Sequence, residues 1–277
     1  MTFLPSQVLT GLLNPGLVLL YLIRKLPLSW FFKLRMHIDG IDRPYYAYGL
    51  YQAALEAKAL GIQRISAYEF GVAAGTGLLI LEQLSREITH LTGVHIDVYG
   101  FDLEVGLPKA SGYKDVPYIW RKGFYKMNVG QLKKKLQSST KLVLGNVKKT
   151  VLTFAKTNFA PIGFIAFDLD YYTSTRDAFR LFDTTDKNML PRVFCYFDDI
   201  IGTDEEIMCE YVGELLAIDE FNKNHKDKKI AKIHGLFYKR AIKSAWSDMM
   251  YVMHHFSHRQ YNTYLYPTKD RQIKFSE

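Results

Sequence analysis

Four aspartates stand at the ends of two apolar runs, and their spacing could build a site for a divalent cation. Asp168 and Asp170 follow one run, and Asp198 and Asp199 follow the next. Residues two apart in an extended chain point to the same face, so the first two carboxylates should project together. If the two runs are neighbouring strands, four carboxylates converge at one edge of a sheet, where their repulsion raises some pKa values unless a cation is bound. Oxygen ligands favour Mg²⁺, with Mn²⁺ or Ca²⁺ as alternatives, whereas helix capping is the structural alternative.

A glycine-rich turn earlier in the chain could bind a nucleoside cofactor. The segment 69–77, EFGVAAGTG, follows a predicted strand and opens a predicted helix. Glycine tolerates positive φ and lets the backbone approach a ligand closely. Gly71 and Gly75 are four residues apart, and Ile80 occupies the place of the third glycine of the dinucleotide fingerprint, which disfavours NAD. Asp102, at the end of the next predicted strand, could accept hydrogen bonds from both hydroxyls of a ribose; a tight turn and a loop cap remain the structural alternatives.

Hydrophobic periodicity predicts alternating strands and helices around these motifs. Helices are predicted over 43–60, 78–91, 174–182 and 208–222, strands over 64–70, 94–101, 141–144, 162–167 and 193–197, and a closing antiparallel pair over 249–256 and 261–266. Alternation of this kind implies a parallel sheet covered on both faces, whose ligands bind beyond the carboxyl ends of the strands. The predicted fold is α/β: a Rossmann-like doubly wound sheet, mostly parallel with a C-terminal antiparallel strand pair, plus an N-terminal helical extension.

The amino end differs from the rest of the chain. Residues 8–23 form an apolar run broken by Asn14 and Pro15, shorter than the roughly 20 apolar residues of a spanning helix. The basic and aromatic residues of 24–35 suit an amphipathic segment on an anionic bilayer, and equally a helix packed on the main domain or on a second subunit. We therefore expect an N-terminal extension over 1–42 and one α/β domain over 43–277.

Composition, net charge and cysteine count limit the partners and the cellular compartment that we expect for the protein. The chain has 277 residues, a formal net charge of +8 and two cysteines. A positive charge invites a nucleic-acid partner, but the cations are clustered locally, and we interpret 133–135, 148–149 and 223–232 as solvated faces of short helices and loops. No zinc-finger, RNP-type or helix-turn-helix pattern accompanies them. Two cysteines without a CxxC motif favour neither a disulfide framework nor a zinc site, and hence a cytoplasmic protein, membrane-peripheral if residues 8–35 touch lipid.

The order of the motifs resembles the TylF/macrocin O-methyltransferase family, class I S-adenosylmethionine-dependent methyltransferases that use a metal to methylate sugar hydroxyls of natural products. The resemblance spans about Ile65 to Phe221 and is carried by segments in family order: GFDLEVGLP at 100–108, Leu144-Gly145, DLDYYTSTRDA at 168–178, FDDI at 197–200 and AIDEF at 217–221.

The resemblance implies a role for each matching residue. Asp168, Asp198 and Asp199 would hold Mg²⁺ or Mn²⁺, and Asp170 would be the general base. S-adenosylmethionine would be bound by Glu69, Gly71, Ala73, Gly75, Thr76 and Asp102. The implied function is metal-assisted methyl transfer to a hydroxyl of a small molecule, a sugar or a glycosylated natural product. Contact of residues 8–35 with a membrane or with a second copy of the chain stays open.

Other classes of protein use parts of this pattern. A glycosyltransferase can hold a metal and a nucleotide sugar on a DxD motif, but it would not need the glycine turn or Asp102. A phosphohydrolase of the haloacid dehalogenase type usually places its nucleophile after the first strand. A binding module without catalytic activity would not need Glu69, Asp102 and the four aspartates. His254, His255 and His258 could bind a metal, but a role in a strand and turn is the simpler interpretation.

Overall fold

A computed structural model describes residues 31–266, so the predicted apolar run at 8–23 lies outside the described residues. The described chain contains seven strands: β1 Arg64–Phe70, β2 His95–Asp102, β3 Lys141–Leu144, β4 Ile162–Phe167, β5 Met189–Phe197, β6 Lys228–Lys232 and β7 Met250–His255. The helices are α1 Phe32–His37, α2 Pro44–Ala59, α3 Thr76–Thr92, α4 Val129–Lys135, α5 Val147–Phe154, α6 Tyr172–Ala178 and α7 Gly213–Asn224. Within 31–266, none of the helices has the length and apolar character needed to cross a bilayer.

The strands form a single sheet in the order β3-β2-β1-β4-β5-β7-β6. β1 pairs in parallel with β2 and β4, and β4 pairs in parallel with β5. β7 is antiparallel to both of its neighbours, β5 and β6. The helices fall into two groups, α1 to α3 and α5 to α7, as expected for layers on opposite faces. The prediction of a Rossmann-like, mostly parallel α/β sheet is confirmed, and the strands that end at the aspartates are neighbours.

The predicted antiparallel pair was wrong in one member. β7 pairs with residues 228–232, whereas residues 261–266 form no strand. The sequence of β6, KKIAK, buries only Ile230 because β6 is the last strand of the sheet. Lys232 is exposed, whereas Lys228 and Lys229 are half-buried and donate to backbone carbonyls. Charged side chains are common on such edge strands, and they made this segment look like solvated surface. The helix predicted from 208 also begins later, at Gly213.

A row of four phenylalanines supports the carboxyl ends of the central strands. Phe101, Phe70, Phe167 and Phe197 are the last or next-to-last residues of β2, β1, β4 and β5. Their ring centroids are 4.7 Å, 5.6 Å and 4.8 Å apart along the row. Each ring is buried, so the packed row holds the residues that follow it at one level along the strand direction. Those residues are Asp102, Gly71, Asp168 and Asp198.

Residues 36–39 are bound to the connection between β6 and β7. The buried Arg240 guanidinium donates to the Met36 carbonyl at 2.7 Å and to Asp39, and it lies 4.1 Å from the Trp246 ring. The Trp246 indole nitrogen is 3.4 Å from the same Asp39 carboxylate. This contact places the chain that leads into α2 at the edge of the sheet where β5 ends.

Candidate active site

A cavity of about 350 Å³ opens at the carboxyl ends of the parallel strands. One half of its wall includes Gly71, Ala73 and Asp102, and the other half includes the aspartates that follow β4 and β5. This volume is within the range of small-molecule sites. The cavity therefore joins the two motifs that lie about 100 residues apart in the sequence.

Asp102 fixes the glycine turn from the side of β2. Its Oδ2 accepts hydrogen bonds from the backbone nitrogens of Val72 at 2.8 Å and Ala73 at 2.9 Å. A carboxylate oxygen has two lone pairs, and Oδ1 already accepts from the nitrogen of Glu104. The carboxylate thus lines the cavity while it holds the turn, and its binding of a ribose stays a prediction.

Gly71 lies where the turn touches the end of β4. It has a φ of +84°, and a Cβ built on it would be 1.6 Å from the carbonyl oxygen of Asp168. The nitrogens of Gly71 and Asp168 continue the sheet ladder, donating to Phe101 and Phe70 at 2.9 Å each. The half of the cavity formed by the glycine turn and the acidic half are therefore in direct backbone contact.

The other predicted cofactor residues lie outside the cavity wall. Glu69 is buried behind the turn, where Oε1 accepts from the Tyr46 hydroxyl at 2.7 Å. Its Oε2 has no hydrogen-bond partner among the described residues. Burial raises the pKa of Glu69 to about 7, although Tyr46 and Arg43 oppose the shift. Gly75 and Thr76 also lie outside the wall. The Gly75 backbone packs against the Leu132 side chain, and the Thr76 side chain is exposed.

Three carboxylates converge at the acidic half of the cavity. Oxygens of Asp168, Asp198 and Asp199 all lie within 4.8 Å of one another, the single group of this kind found in residues 31–266. Burial, followed by the charge of Asp198, raises the pKa of Asp168 well above its usual value. Burial, followed by the charge of Asp170, does the same for Asp199. Such a cluster is costly while it is charged and unoccupied by a counter-ion.

This donor set fits a divalent cation. Ligand oxygens lie about 2.0–2.6 Å from Mg²⁺ or Ca²⁺, so two ligands of the same ion are separated by no more than roughly 5 Å. The three aspartate oxygens meet that limit without rearrangement. All of them are hard carboxylate donors, which suit Mg²⁺, Mn²⁺ or Ca²⁺ better than zinc.

Asp170 lies beside the cluster in an unusual backbone conformation. Its φ is +59°, and its backbone nitrogen donates to Asp199 Oδ2 at 2.8 Å. The side chain is only 6% exposed and lines the cavity. Burial, with the charges of Asp198 and Glu206 nearby, raises the pKa of Asp170 to about 7. A carboxyl in this state can take up a proton near neutral pH.

Several residues that the sequence did not single out support the acidic cluster. Tyr196 donates to Asp198 Oδ1 at 2.6 Å, and its ring stacks on Tyr45 at 4.1 Å. Glu214, fully buried at the start of α7, accepts from the backbone nitrogen of Asp199 at 3.2 Å. Arg43, with a φ of +50° before Pro44, places its guanidinium 5.0 Å from the Tyr46 ring.

Only part of this support could have been found in the sequence. Tyr196 precedes Asp198 by two residues, and in an extended chain this spacing places both side chains on one face. Glu214 and Arg43 carry no such signal, because their contacts depend on how two helices pack.

A hydrogen bond joins two connections beside the cavity. The Tyr118 hydroxyl, in the connection after β2, donates to the carbonyl of Glu206 at 2.7 Å, in the connection after β5. Trp120, Tyr125 and Ile201 line the cavity beneath them. Burial and the nearby carboxylates raise the pKa of Tyr125 to about 12, so its hydroxyl stays protonated and able to donate.

The three histidines lie away from this site, near the end of β7. His255 is buried, 3.7 Å from Asp186 and 3.5 Å from Asp227. His258 Nε2 donates to the Asp186 carbonyl at 3.0 Å, and His254 contacts the Tyr261 hydroxyl at 2.9 Å. The described residues here hold a strand and a turn, and they do not bring three metal-binding atoms together.

Two solved methyltransferases resemble this structure. "CalS11, Calicheamicin Methyltransferase" has 18% sequence identity and a TM-score of 0.51, over 92% of this chain and 94% of that chain. "The O-methyltransferase NovP" has 15% identity and a TM-score of 0.53, over 76% of this chain and 80% of that chain. At these identities the likeness shows a shared fold, the Rossmann-like methyltransferase fold. No family model and no curated protein sequence matched the chain.

Proposed function

We propose that the protein transfers a methyl group from S-adenosylmethionine to a hydroxyl of a small molecule, a sugar or a glycosylated natural product, with the help of a divalent cation. One observation carries the proposal: a single cavity joins the glycine turn and Asp102 to the aspartate cluster. The fold that it shares with CalS11 and NovP supports the same conclusion. The calicheamicin methyltransferase, by its name, supports a natural-product acceptor.

The turn after β1 would hold the cofactor, whose sulfonium supplies an electrophilic methyl group. Gly71 leaves the wall free of a side chain, and Asp102 keeps the amides of Val72 and Ala73 in place. Because these groups are already ordered by hydrogen bonds, binding costs little reorganisation. Glu69 would support the turn from its buried side. Its Oε1 lies so close to Gly77 that a Cβ built there would be 1.8 Å away.

The acidic half would bind the acceptor. Asp168, Asp198 and Asp199 would hold the cation, which lowers the pKa of a coordinated hydroxyl. Asp170 would take the proton from that hydroxyl, since it lies in the same wall and is buried from bulk water. Tyr196 and Glu214 would orient Asp198 and Asp199. Holding donor and acceptor in line is worth roughly 7–11 kcal/mol in favourable cases.

Calorimetric titration of S-adenosylmethionine at a fixed Mg²⁺ concentration tests the proposal first. We expect saturable binding at one site, followed by methylation of glycosides or phenols in an acceptor screen. Asp198→Ala should abolish turnover and keep cofactor binding, because Asp198 lies in the acidic half of the wall. Asp219→Ala, an exposed position on α7, is the matched control and should change neither quantity.

Two results would contradict the proposal. Undiminished turnover in Asp198→Ala would exclude the assigned metal ligands. A folded protein that fails to bind the cofactor at millimolar concentration, yet binds a nucleotide sugar with Mn²⁺, would favour the alternative function of a DxD glycosyltransferase.

A further inference from the structure

Exposed apolar side chains are concentrated at the edge of the sheet that carries the cavity. Ten of the sixteen large hydrophobic side chains that are exposed in residues 31–266 belong to the connections after β2, β5 and β6. The most exposed are Tyr238 at 81%, Tyr211 at 74% and Ile207 at 72%. Clustered exposure of this kind marks a binding surface more often than single exposed residues do.

The topology places these three connections on one side of the molecule. β2 and β5 run in the same direction, since both belong to the parallel part of the sheet. β7 is antiparallel to β5 and to β6, so β6 again runs parallel to β5. The carboxyl ends of β2, β5 and β6 therefore meet the same edge, together with the cavity.

Charge divides this edge into a centre and two flanks. The connection after β2 exposes the cations Lys109, Arg121, Lys122 and Lys126, and the connection after β6 exposes Lys239 and Lys243. The acidic residues Asp204, Glu205, Glu206 and Glu210 belong to the connection after β5, which lies between the other two in the strand order. The exposed cations thus lie on the flanks, whereas exposed apolar side chains occur on all three connections. The acidic residues lie in the central connection, whose Glu206 lines the cavity.

Both flanks are held to the body of the protein. On one side, Tyr118 is bound to the carbonyl of Glu206. On the other, Arg240 is bound to Met36 and Asp39, and Lys243 donates to the carbonyls of its own turn, that of Phe237 at 3.1 Å among them. The backbone of both flanks is therefore fixed in place. A surface that binds both flanks would also lie against the cavity between them.

We propose that this edge docks on an anionic lipid bilayer, with the two basic and aromatic flanks at the headgroup level. Interfacial lipid binding combines aromatic and apolar side chains with lysine and arginine, which attract anionic headgroups. The cores of protein interfaces are depleted in lysine, which argues against a second copy of the chain as the occupant. Residues 8–35 of the sequence add a further apolar and basic stretch, directly before the segment that Arg240 holds.

Docking in this orientation would direct the cavity mouth at the membrane. The acceptor hydroxyl would then belong to a molecule embedded in the bilayer, such as the sugar headgroup of a lipid. This last step rests on the proposed methyl transfer, whereas the docking itself does not.

Vesicle co-sedimentation of the full chain tests the docking. The probes are vesicles of phosphatidylcholine alone and vesicles that also contain phosphatidylglycerol. We expect binding to the anionic vesicles, weaker binding to the neutral ones, and release as the salt concentration rises. Arg121→Gln/Lys122→Gln should weaken binding by roughly fivefold for each cation removed, about 25-fold for the pair. Tyr238→Ser should weaken it on the other flank.

Matched controls lie at the opposite edge of the sheet. Lys187→Gln/Lys226→Gln removes two exposed cations that precede β5 and β6, and Phe256→Ser removes an exposed aromatic side chain after β7. Neither control should change vesicle binding. Circular dichroism and urea denaturation show that each variant is folded. Separate titration with S-adenosylmethionine keeps failure of docking distinct from failure of the proposed function.

Three results would overturn the docking proposal. Absence of binding to either vesicle excludes it. Binding that none of the flank variants weakens would assign the membrane contact to residues outside this edge. A change in oligomeric state in Tyr238→Ser, measured by light scattering and without a change in vesicle binding, would assign the edge to a second copy of the chain.

Discussion

Replacement of Gly71 by alanine tests whether the two halves of the cavity depend on one backbone contact. The new Cβ would lie 1.6 Å from the carbonyl oxygen of Asp168, so one of the two chain segments must move by more than an ångström. The φ of +84° adds the usual cost of a left-handed alanine, about 1–2 kcal/mol. Overpacking of this severity costs roughly 1–3 kcal/mol more.

Gly61→Ala is the matched control for the backbone term. Gly61 has a φ of +75°, and a Cβ built there meets nothing within 4 Å. We therefore expect Gly61→Ala to lose about 1–2 kcal/mol of unfolding free energy and Gly71→Ala about 2–5 kcal/mol. Urea denaturation measures both values. Calorimetry should show that only Gly71→Ala loses binding of S-adenosylmethionine and Mg²⁺ together.

Equal destabilisation of the two variants, within about 0.5 kcal/mol, would refute this reasoning, because it would mean that the steric contact at Asp168 costs nothing. Loss of cofactor binding with intact Mg²⁺ binding would show that the halves are independent.

Other predictions follow from the acidic cluster, a buried carboxyl and the buried arginine. Mg²⁺ should raise the melting temperature of the native protein but not of Asp198→Asn, with a gain of about 2.7 kcal/mol at a hundred times the dissociation constant, measured by scanning fluorimetry against a chelator. Burial raises the pKa of Glu56 to about 7 in the folded protein, so its contribution to stability is greatest below its unfolded pKa and is lost as the pH rises through 7. The native protein's unfolding free energy, measured relative to that of Glu56→Gln by urea denaturation, should therefore fall by up to about 3 kcal/mol between pH 4.5 and pH 7. A difference between the two proteins that stays constant with pH would contradict this prediction. Arg240→Ala removes the buried ion pair with Asp39 and should cost about 3 kcal/mol and expose the segment before α2 to proteases. Lys239→Ala, exposed in the same connection, should do neither.

The parallel core could be predicted from the sequence because each central strand is a continuous apolar run. β4 and β1 bury almost every side chain, and the predicted bounds of both agree with those in the structure. The aspartates at strand ends were equally visible, because a polar residue after such a run must lie at the edge of the sheet. Their approach to within 4.8 Å required the strand order as well, which no local pattern contains.

Edge elements and supports from other helices could not be predicted in this way. β6 buries one side chain in five residues, too few for a periodic signal. Asp102 was predicted to accept hydrogen bonds from ribose hydroxyls. Its hydrogen bonds to the amides of Val72 and Ala73 could not be predicted, because they depend on how β1 and β2 pair. Glu69 matched its motif and yet lies behind the turn, since residues that alternate along β1 face opposite sides of the sheet.

The left-handed backbone of Asp170 decides which replacements would leave the site intact. Asparagine and glycine adopt this conformation readily, whereas alanine and glutamate are penalised by it. Asparagine is also the replacement closest in shape to aspartate and carries no titratable group. Selection for folding alone would therefore tolerate asparagine at this position after the proposed proton acceptor was lost. The same substitution offers crystallographers a stalled complex with both the proposed donor and the proposed acceptor in place.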